Sequence, residues 1–419
     1  MNTVRDPLSR RALALIHRGI AAADPARAVS SAIAPVLADP PDPGGQWRIV
    51  ALGKAARVMA RVALKHLPDS RALVVTNRGN DAPLIRAEVL CAGHPVPDEA
   101  GEAAARRVES LLAECGPQDR LLALISGGGS AMLPAPVVGV TLAEKQQVNR
   151  LLLASGADIA QTNLIRQALS RLKGGGWLRA CRAPATALIL SDVPGDDLRV
   201  VASGPTVAPI GSVAEAAGMA RALGIWDRLP DSVRAALSRP EPPRDAEPAR
   251  VQNILIGSNG QSVRAMVAAG ARPGGAALEG DVEDCARALV AAAQGAGPGE
   301  ALAFGGETTV RLTGEGMGGR NQELALRFAR AAARAGLEGP WAFASLGSDG
   351  RDGPGEAAGG VVDHGTLERL AAAGVDLEAV LARNDSTPAL EAAGGLVTTG
   401  PTGTNVADLA VFLRGPARR

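Results

Sequence analysis

The sequence has no tyrosine and only four phenylalanines and four tryptophans, so aromatic residues make up 2% of its 419 positions. Single-stranded nucleic acids and RNA are gripped by stacking bases on aromatic side chains, and that mode has little to work with here. An excess of charge is missing too. Lys and Arg number 44 against 43 Asp and Glu, for a net charge of +1. Such a balance favours neither a polyanion nor an anionic membrane surface. The four cysteines, Cys91, Cys115, Cys181 and Cys285, stand far apart without a C-x-x-C pair, which suggests neither a zinc site nor a disulfide framework. No apolar run reaches membrane-spanning length, and Arg10, Arg11, His17 and Arg18 interrupt the first apolar stretch. A cytoplasmic protein without nucleic-acid or membrane partners is expected.

What is abundant is glycine, at 51 residues, with 29 prolines and a hydrophobic content of 46%. The chain is long for one core and suits two domains. Residues 239–250 read Arg-Pro-Glu-Pro-Pro-Arg-Asp-Ala-Glu-Pro-Ala-Arg. This stretch is the best interdomain linker. It divides the chain into 1–240, a linker at 241–250, and 251–419, with a second α/β series opening at Gln252.

Short apolar runs ending in turns recur through both halves and predict α/β domains built on parallel strands. Trp47–Leu52 runs into Gly53-Lys54 and then a helical segment. This is not a Walker A loop, because Arg48 stands where its first glycine belongs and Ala55 where Ser or Thr should follow the lysine. Leu121–Ile125 delivers Ser126-Gly127-Gly128-Gly129-Ser130, a candidate phosphate cradle in which backbone N–H groups form a nest and the hydroxyls supplement it. Its spacing is not G-x-G-x-x-G, so a dinucleotide site is not indicated. Ala185–Leu190 delivers Ser191-Asp192 and then Asp196 and Asp197. Carboxylates at a strand end suit Mg²⁺ or proton transfer, although capping a Pro/Gly turn is enough to explain Asp196 or Asp197. His94, in Gly93-His94-Pro95, is a candidate to touch substrate or to stabilise its own loop.

In the second half, Gly314 to Gly319 opens a helix that starts at Arg320 and Asn321. A helix N-terminus attracts anions, and an arginine placed there calls for an anion between the two. Glu307, Asp349, Asp352 and the Thr402-Gly403-Thr404-Asn405 turn lie on similar glycine-rich ends. Basic groups, nests and carboxylates for Mg²⁺ are the parts of a phosphoryl-transfer site, and a cleft between two α/β domains is where they are expected to meet.

These motifs, in this order, resemble the glycerate 2-kinase family, a glycerate-kinase domain followed by a MOFRL domain. The resemblance is carried by Gly53-Lys54-Ala55-Ala56, Gly93-His94-Pro95-Val96-Pro97-Asp98, Ser126–Ala131, Lys173-Gly174-Gly175, Leu190–Asp197, Ser203–Thr206, Gly305–Val310, Gly318–Glu323, Asp349-Gly350 with Asp352-Gly353, and Thr399–Val406. It implies a Rossmann-like N-terminal domain, a MOFRL-type C-terminal domain, and ATP-dependent phosphorylation of D-glycerate to 2-phosphoglycerate with a divalent cation. Lys54 and Arg320 match its functional lysine and arginine.

On the combined reading, Lys54, Arg320 and Asp192 are catalytic. Ser126, Gly127, Gly128, Gly129, Ser130, Gly318, Gly319, Thr402, Gly403, Thr404 and Asn405 hold ATP. Asn321, Glu307 and His94 hold glycerate, while Asp192, Asp349 and Asp352 hold Mg²⁺. A homodimer is open. Two departures from the family pattern stand out. Gln167-Ala168 replaces a Lys-His pair, and Ser348 replaces a threonine. An NAD(P)H-dependent hydroxypyruvate reductase and a non-catalytic binding protein are the alternatives.

Overall fold

The computed structural model describes residues 6–240 and 250–416; the expected linker at 241–250 falls outside them except for Arg250. The chain divides into two compact units, Pro25–Ile256 and, together, Met1–Asp24 with Gly257–Arg419.

In the unit Pro25–Ile256, six strands form one sheet: β1 (Trp47–Leu52), β2 (Arg71–Asn77), β3 (Ala87–Ala92), β4 (Arg120–Ile125), β5 (Ala185–Leu190) and β6 (Val251–Gly257). Their order is β3-β2-β1-β4-β5-β6, and the pairs among β1 to β5 are parallel. This is the doubly wound order, whose direction reverses between β1 and β4. Side chains alternate between two covered faces. Ile49 and Ala51 pack with Val29, Ile33, Met59 and Leu64 from the helices Pro25–Leu37 and Ala56–His66. Val50 and Leu52 pack with Val108 and Leu112 from the helix Glu99–Glu114. The Asp98 carboxylate accepts from Gly101 N at 2.8 Å, the N-cap that its position predicts.

The segment expected to open the second series instead completes this first sheet as β6. Ile254 and Ile256 pack on one face of the sheet and Val251 on the other. Asn253 is bonded to Thr206, whose hydroxyl donates to Asn253 Oδ1 at 2.7 Å.

The other unit holds β7 (Arg272–Pro273), β8 (Ala301–Gly306), β9 (Trp341–Gly347), β10 (Gly359–Asp363), β11 (Leu396–Val397) and β12 (Asp408–Arg414), in the order β11-β10-β9-β12-β8-β7. The last strand of the chain lies in the middle, antiparallel to both β8 and β9. Val310–Leu312, which alternates like a hairpin arm, is irregular.

The amphipathic helix Pro7–Ala22 covers this sheet. Ala12, Leu15, Ile16 and Ile20 share a core with Leu346, Leu409 and Val411, so the first residues of the chain belong with its last. All four phenylalanines are in this unit. Phe328 stacks on Phe343 with centroids 4.1 Å apart and meets the edge of Trp341 at 5.6 Å. Among the described residues no helix is long and apolar enough to cross a membrane.

Phe328→Ala removes the centre of this aromatic cluster, a fully buried side chain. It is expected to cost about 3–5 kcal/mol, read as a lower denaturant midpoint for the unit. An unchanged midpoint contradicts that packing account.

Candidate functional site

Where the strand order reverses, the chains leaving β1 and β4 turn to opposite faces, and in open α/β sheets the carboxyl edge at that point is where ligands bind. The two turns there are Gly53-Lys54 and Ser126–Ser130, and they are tied to each other. Lys54 N donates to Gly127 O at 3.0 Å. The Ser126 hydroxyl donates to Leu52 O at 3.2 Å and accepts from Ala55 N at 3.1 Å. Lys54 is half-buried on this edge.

Asp192, one residue beyond Ser191 at the end of β5, lies against the same loop. A Cβ added to Gly127 would sit 1.9 Å from Asp192 Oδ2, so only glycine lets the carboxylate approach the backbone this closely. The His94 ring is beside Gly128, 3.2 Å from where a Cβ would project. Crowding around the ring lowers its proton affinity, and the Lys54 charge lowers it further. Lys54, His94, the Ser126–Ser130 loop and Asp192 are therefore one neighbourhood. Asp197 is separate, paired with Arg199 at 2.7 Å.

Beneath this loop are two lysines that sequence reasoning did not single out as site residues. Lys173, at 3% exposure, donates to Ser130 O at 2.7 Å, Ser130 Oγ at 3.3 Å and Leu133 O at 3.4 Å. Lys145 donates to Pro134 O at 2.7 Å and Leu169 O at 2.9 Å. Burial pushes the Lys173 amine down to about 7, aided by the nearby Arg166 charge. Burial also holds Lys145 well below the ordinary lysine range, with Lys173 adding to the effect.

The Ser130 hydroxyl is 2.8 Å from that of Ser203, which donates to Asn163 Oδ1 at 2.7 Å. Gln167, at the first departure from the family pattern, acts as a brace. Its amide nitrogen donates to Arg199 O and Ser203 O, and its oxygen accepts from Ile210 N.

The other unit assembles a second constellation around the helix Arg320–Arg334. Its N-cap, Gly319, has no side chain to offer, and Asp352 supplies the cap from elsewhere. Asp352 Oδ1 accepts from Asn321 N at 3.0 Å and Nδ2 at 3.2 Å. Its Oδ2 accepts from Gln322 N at 2.9 Å and Nε2 at 3.1 Å. A Cβ on Gly319 would fall 2.3 Å from Asp352 Cγ. The anion expected at this helix N-terminus is thus the chain's own carboxylate, and Asp352, expected to hold a metal, is spent on capping.

Arg320 does not stand as an isolated cation. Nε and Nη2 donate to the two oxygens of Asp408 at 2.7 and 3.0 Å, and Nη1 donates to Glu307. One N–H on each terminal nitrogen is left over for a ligand. Burial works against the guanidinium charge, but Asp408 and Glu307 outweigh it and raise its proton affinity. Burial pushes the Asp408 carboxyl up to about 7 even though Arg320 and Asn321 pull it down. Asn321 Nδ2 donates to Asp408 at 2.9 Å, and its oxygen accepts from Ser345 at 2.6 Å. Asp408 was not among the expected site residues. It is the first residue of a strand, 88 positions from the arginine it orients.

The remaining glycine-rich turns in this unit bind one another. Thr313 N and Gly314 N donate to Asn384 Oδ1, and Met317 N donates to Asp385. A Cβ on Gly318, expected to hold ATP, would meet Ser386 Oγ at 2.2 Å. In the Thr402–Asn405 turn, the Thr402 hydroxyl donates to Ser348 O and that of Thr404 to Ala23 O, each at 2.6 Å. Ser348 keeps the hydroxyl function of the threonine it replaces, accepting from Val406 N at 2.8 Å. Asp349 Oδ1 accepts from Arg351 N at 2.9 Å. Among the described residues no three His, Cys, Asp or Glu side chains gather as a metal cluster.

Known proteins share this organisation. Residues 11–238 match the family model described as a domain of unknown function, DUF4147, and residues 300–408 match the MOFRL family. A putative hydroxypyruvate reductase from Agrobacterium vitis is 40% identical over 99% of this chain and 96% of its own. A glycerate 2-kinase from Pyrococcus horikoshii is 37% identical over 96% of each. The crystal structure of glycerate kinase from Thermotoga maritima superposes with a TM-score of 0.85 at 36% identity, covering 97% of this chain and 99% of that one. With the fold, the motif order and both family regions in agreement, the chain belongs to the glycerate 2-kinase family.

Proposed function

We propose that the protein transfers the terminal phosphoryl group of ATP to the 2-hydroxyl of D-glycerate, giving 2-phosphoglycerate. The observation that carries this reading is the grouping of Lys54, the Ser126–Ser130 loop and Asp192 at the carboxyl edge where the strand order reverses. Phosphoryl transfer asks for positioning and charge neutralisation and little covalent chemistry. Lys54 neutralises charge on the migrating group, and the backbone of the loop orients it. Asp192 accepts the proton of the substrate hydroxyl or takes part in holding a cation. Arg320 is the second basic group, with its remaining N–H donors aimed by Asp408 and Glu307.

Mg²⁺ is ordinarily held by one or two carboxylates together with substrate phosphates. A single carboxylate against a glycine loop, with no protein cage, fits that habit. Asp192 would hold the ion, with Asp349 the second candidate. When bound, the cation supplies neutralisation of the phosphate charge.

ADP release is expected only when D-glycerate, ATP and Mg²⁺ are all present, with a phosphorus NMR signal for the 2-phosphate ester. Oxidation of NADH by hydroxypyruvate without ADP release overturns the proposal in favour of the reductase. Lys54→Ala and Arg320→Ala are each expected to lower turnover by about 10²–10³-fold; near-normal rates in both refute the assigned roles. Asp408→Ala leaves the guanidinium without its bidentate partner. It is expected to cost about 3 kcal/mol of stability, the low end for a broken buried pair, because Arg320 is 33% exposed. A thermal or chemical denaturation curve matching the parent refutes that estimate.

A further inference from the structure

The serine hydroxyls of the Ser126–Ser130 loop, expected to supplement a phosphate nest, send their protons inward. That of Ser126 donates to Leu52 O at 3.2 Å. For Ser130 the direction follows from a chain of bonds that ends in the core. Asn163 Nδ2 donates to Ile159 O at 2.9 Å. A carbonyl only accepts, so the amide has one orientation and its Oδ1 faces Ser203. The Ser203 hydroxyl donates its single proton to that oxygen at 2.7 Å. In the 2.8 Å contact between the two serines, Ser203 therefore accepts and Ser130 donates. Lys173 Nζ in turn donates to Ser130 Oγ at 3.3 Å. The links run one way, from Lys173 through Ser130 and Ser203 to Asn163, and bonds aligned in series strengthen one another. Ser203 is held in place through its carbonyl, which accepts from Gly174 N at 3.0 Å and Gln167 Nε2 at 3.2 Å.

Lys173, Ser203 and Asn163 are buried, and Ser130 is the part-exposed member of the chain. It is also the member on the loop that carries Gly127, against Asp192, and Gly128, beside His94. A hydroxyl has one donor and two lone pairs. With its proton on Ser203 and one lone pair facing Lys173, Ser130 has only an acceptor left to offer. Phosphate and carboxylate oxygens are themselves acceptors, so the Ser130 hydroxyl does not suit them, and the nest is left to backbone N–H groups. A ligand hydroxyl, which can donate, does suit it.

We propose that Ser130 is a specificity-determining residue whose remaining lone pair accepts a hydrogen bond from the terminal hydroxyl of the sugar acid. This role rests on the kinase reading and deepens it. D-Glycerate carries two hydroxyls, and the 2-hydroxyl is the one that reacts, so the terminal hydroxyl is the donor that remains. The ribose hydroxyls of a nucleotide share this chemistry, and a separate arm of the test distinguishes them.

The test titrates three acids calorimetrically into the full-length protein with ADP and Mg²⁺ present. They are D-glycerate, D-lactate, which lacks the terminal hydroxyl, and the 3-fluorolactate of matching configuration, which nearly keeps the hydroxyl's size but cannot donate. The parent protein is expected to bind D-glycerate about tenfold more tightly than either analogue, the worth of one hydrogen bond, a measurement that needs no variant. Ser130→Ala is expected to bind D-glycerate about tenfold more weakly than the parent and D-lactate within about twofold of it. A change in loop shape alone would weaken both acids together. ADP and 2′,3′-dideoxy-ADP, each titrated alone, are expected to keep the same affinity ratio in Ser130→Ala as in the parent.

Equal binding of the three acids by the parent, or an equal loss of D-glycerate and D-lactate affinity in Ser130→Ala, overturns the proposal. A changed nucleotide ratio in Ser130→Ala also overturns it and gives the donor to the ribose. None of these readouts needs turnover. Preference for D-glycerate over D-lactate without ADP release sinks the kinase reading alone, whereas ADP release with equal binding of the three acids sinks this role alone.

Discussion

The constraint on which the candidate site depends is the adjacency of β1 and β4. Two parallel strands that share hydrogen bonds bring their carboxyl ends level, and their connections then part to opposite faces. The Gly53-Lys54 turn and the Ser126–Ser130 loop are neighbours for that reason and not because of any affinity between them. Once they are neighbours, Ser126 stitches one to the other, and the bare face of Gly127 admits the Asp192 carboxylate delivered by β5. Glycine here is demanded by another residue's approach and not by turn geometry alone. The same logic recurs at Gly319 and Asp352.

The two constellations treat charge in opposite ways. Around Arg320 the protein supplies its own anions. Asp352 closes the helix N-terminus, and Asp408 with Glu307 fixes the guanidinium while leaving one N–H on each terminal nitrogen. Under the Ser126–Ser130 loop the protein buries Lys173 and Lys145, whose bonds go to backbone carbonyls and the Ser130 hydroxyl. The first design fixes geometry whether or not anything binds. The second meets its buried amines with neutral oxygen acceptors.

Much of this was legible in the sequence. β1, β4, β5, β8 and β9 are apolar runs buried on both faces and ending in glycine or hydroxyl turns, and a run of that kind has few other ways to fold. Asp98 announced its helix through capping chemistry. β3 was not legible because its residues are only partly buried, and β10 because it begins with Gly359-Gly360. The partner of the N-terminal helix was also hidden, since an amphipathic face specifies that something covers it and not which sheet does. Lys54 and Asp192 were readable because their turns are local. Lys173 was legible only as the residue before a glycine turn, and Lys145 carried no signal, because lysines are usually exposed; their burial follows from contacts with segments 11 to 43 positions away. The glycines before Arg320 gave the right signal, a close approach, but the approaching groups are Asp352, Arg383, Asp385 and Ser386.

The helix Pro7–Ala22 shares a core with β12, the strand Asp408–Arg414. These are the first and last described elements to leave a ribosome. The unit Pro25–Ile256 has all its strands in hand long before synthesis ends and is free to fold as it emerges. The apolar stripe of the opening helix is covered by Met266, Leu346 and Leu409 together, all of them far along the sequence, so it stays open until the unit that holds them has been made.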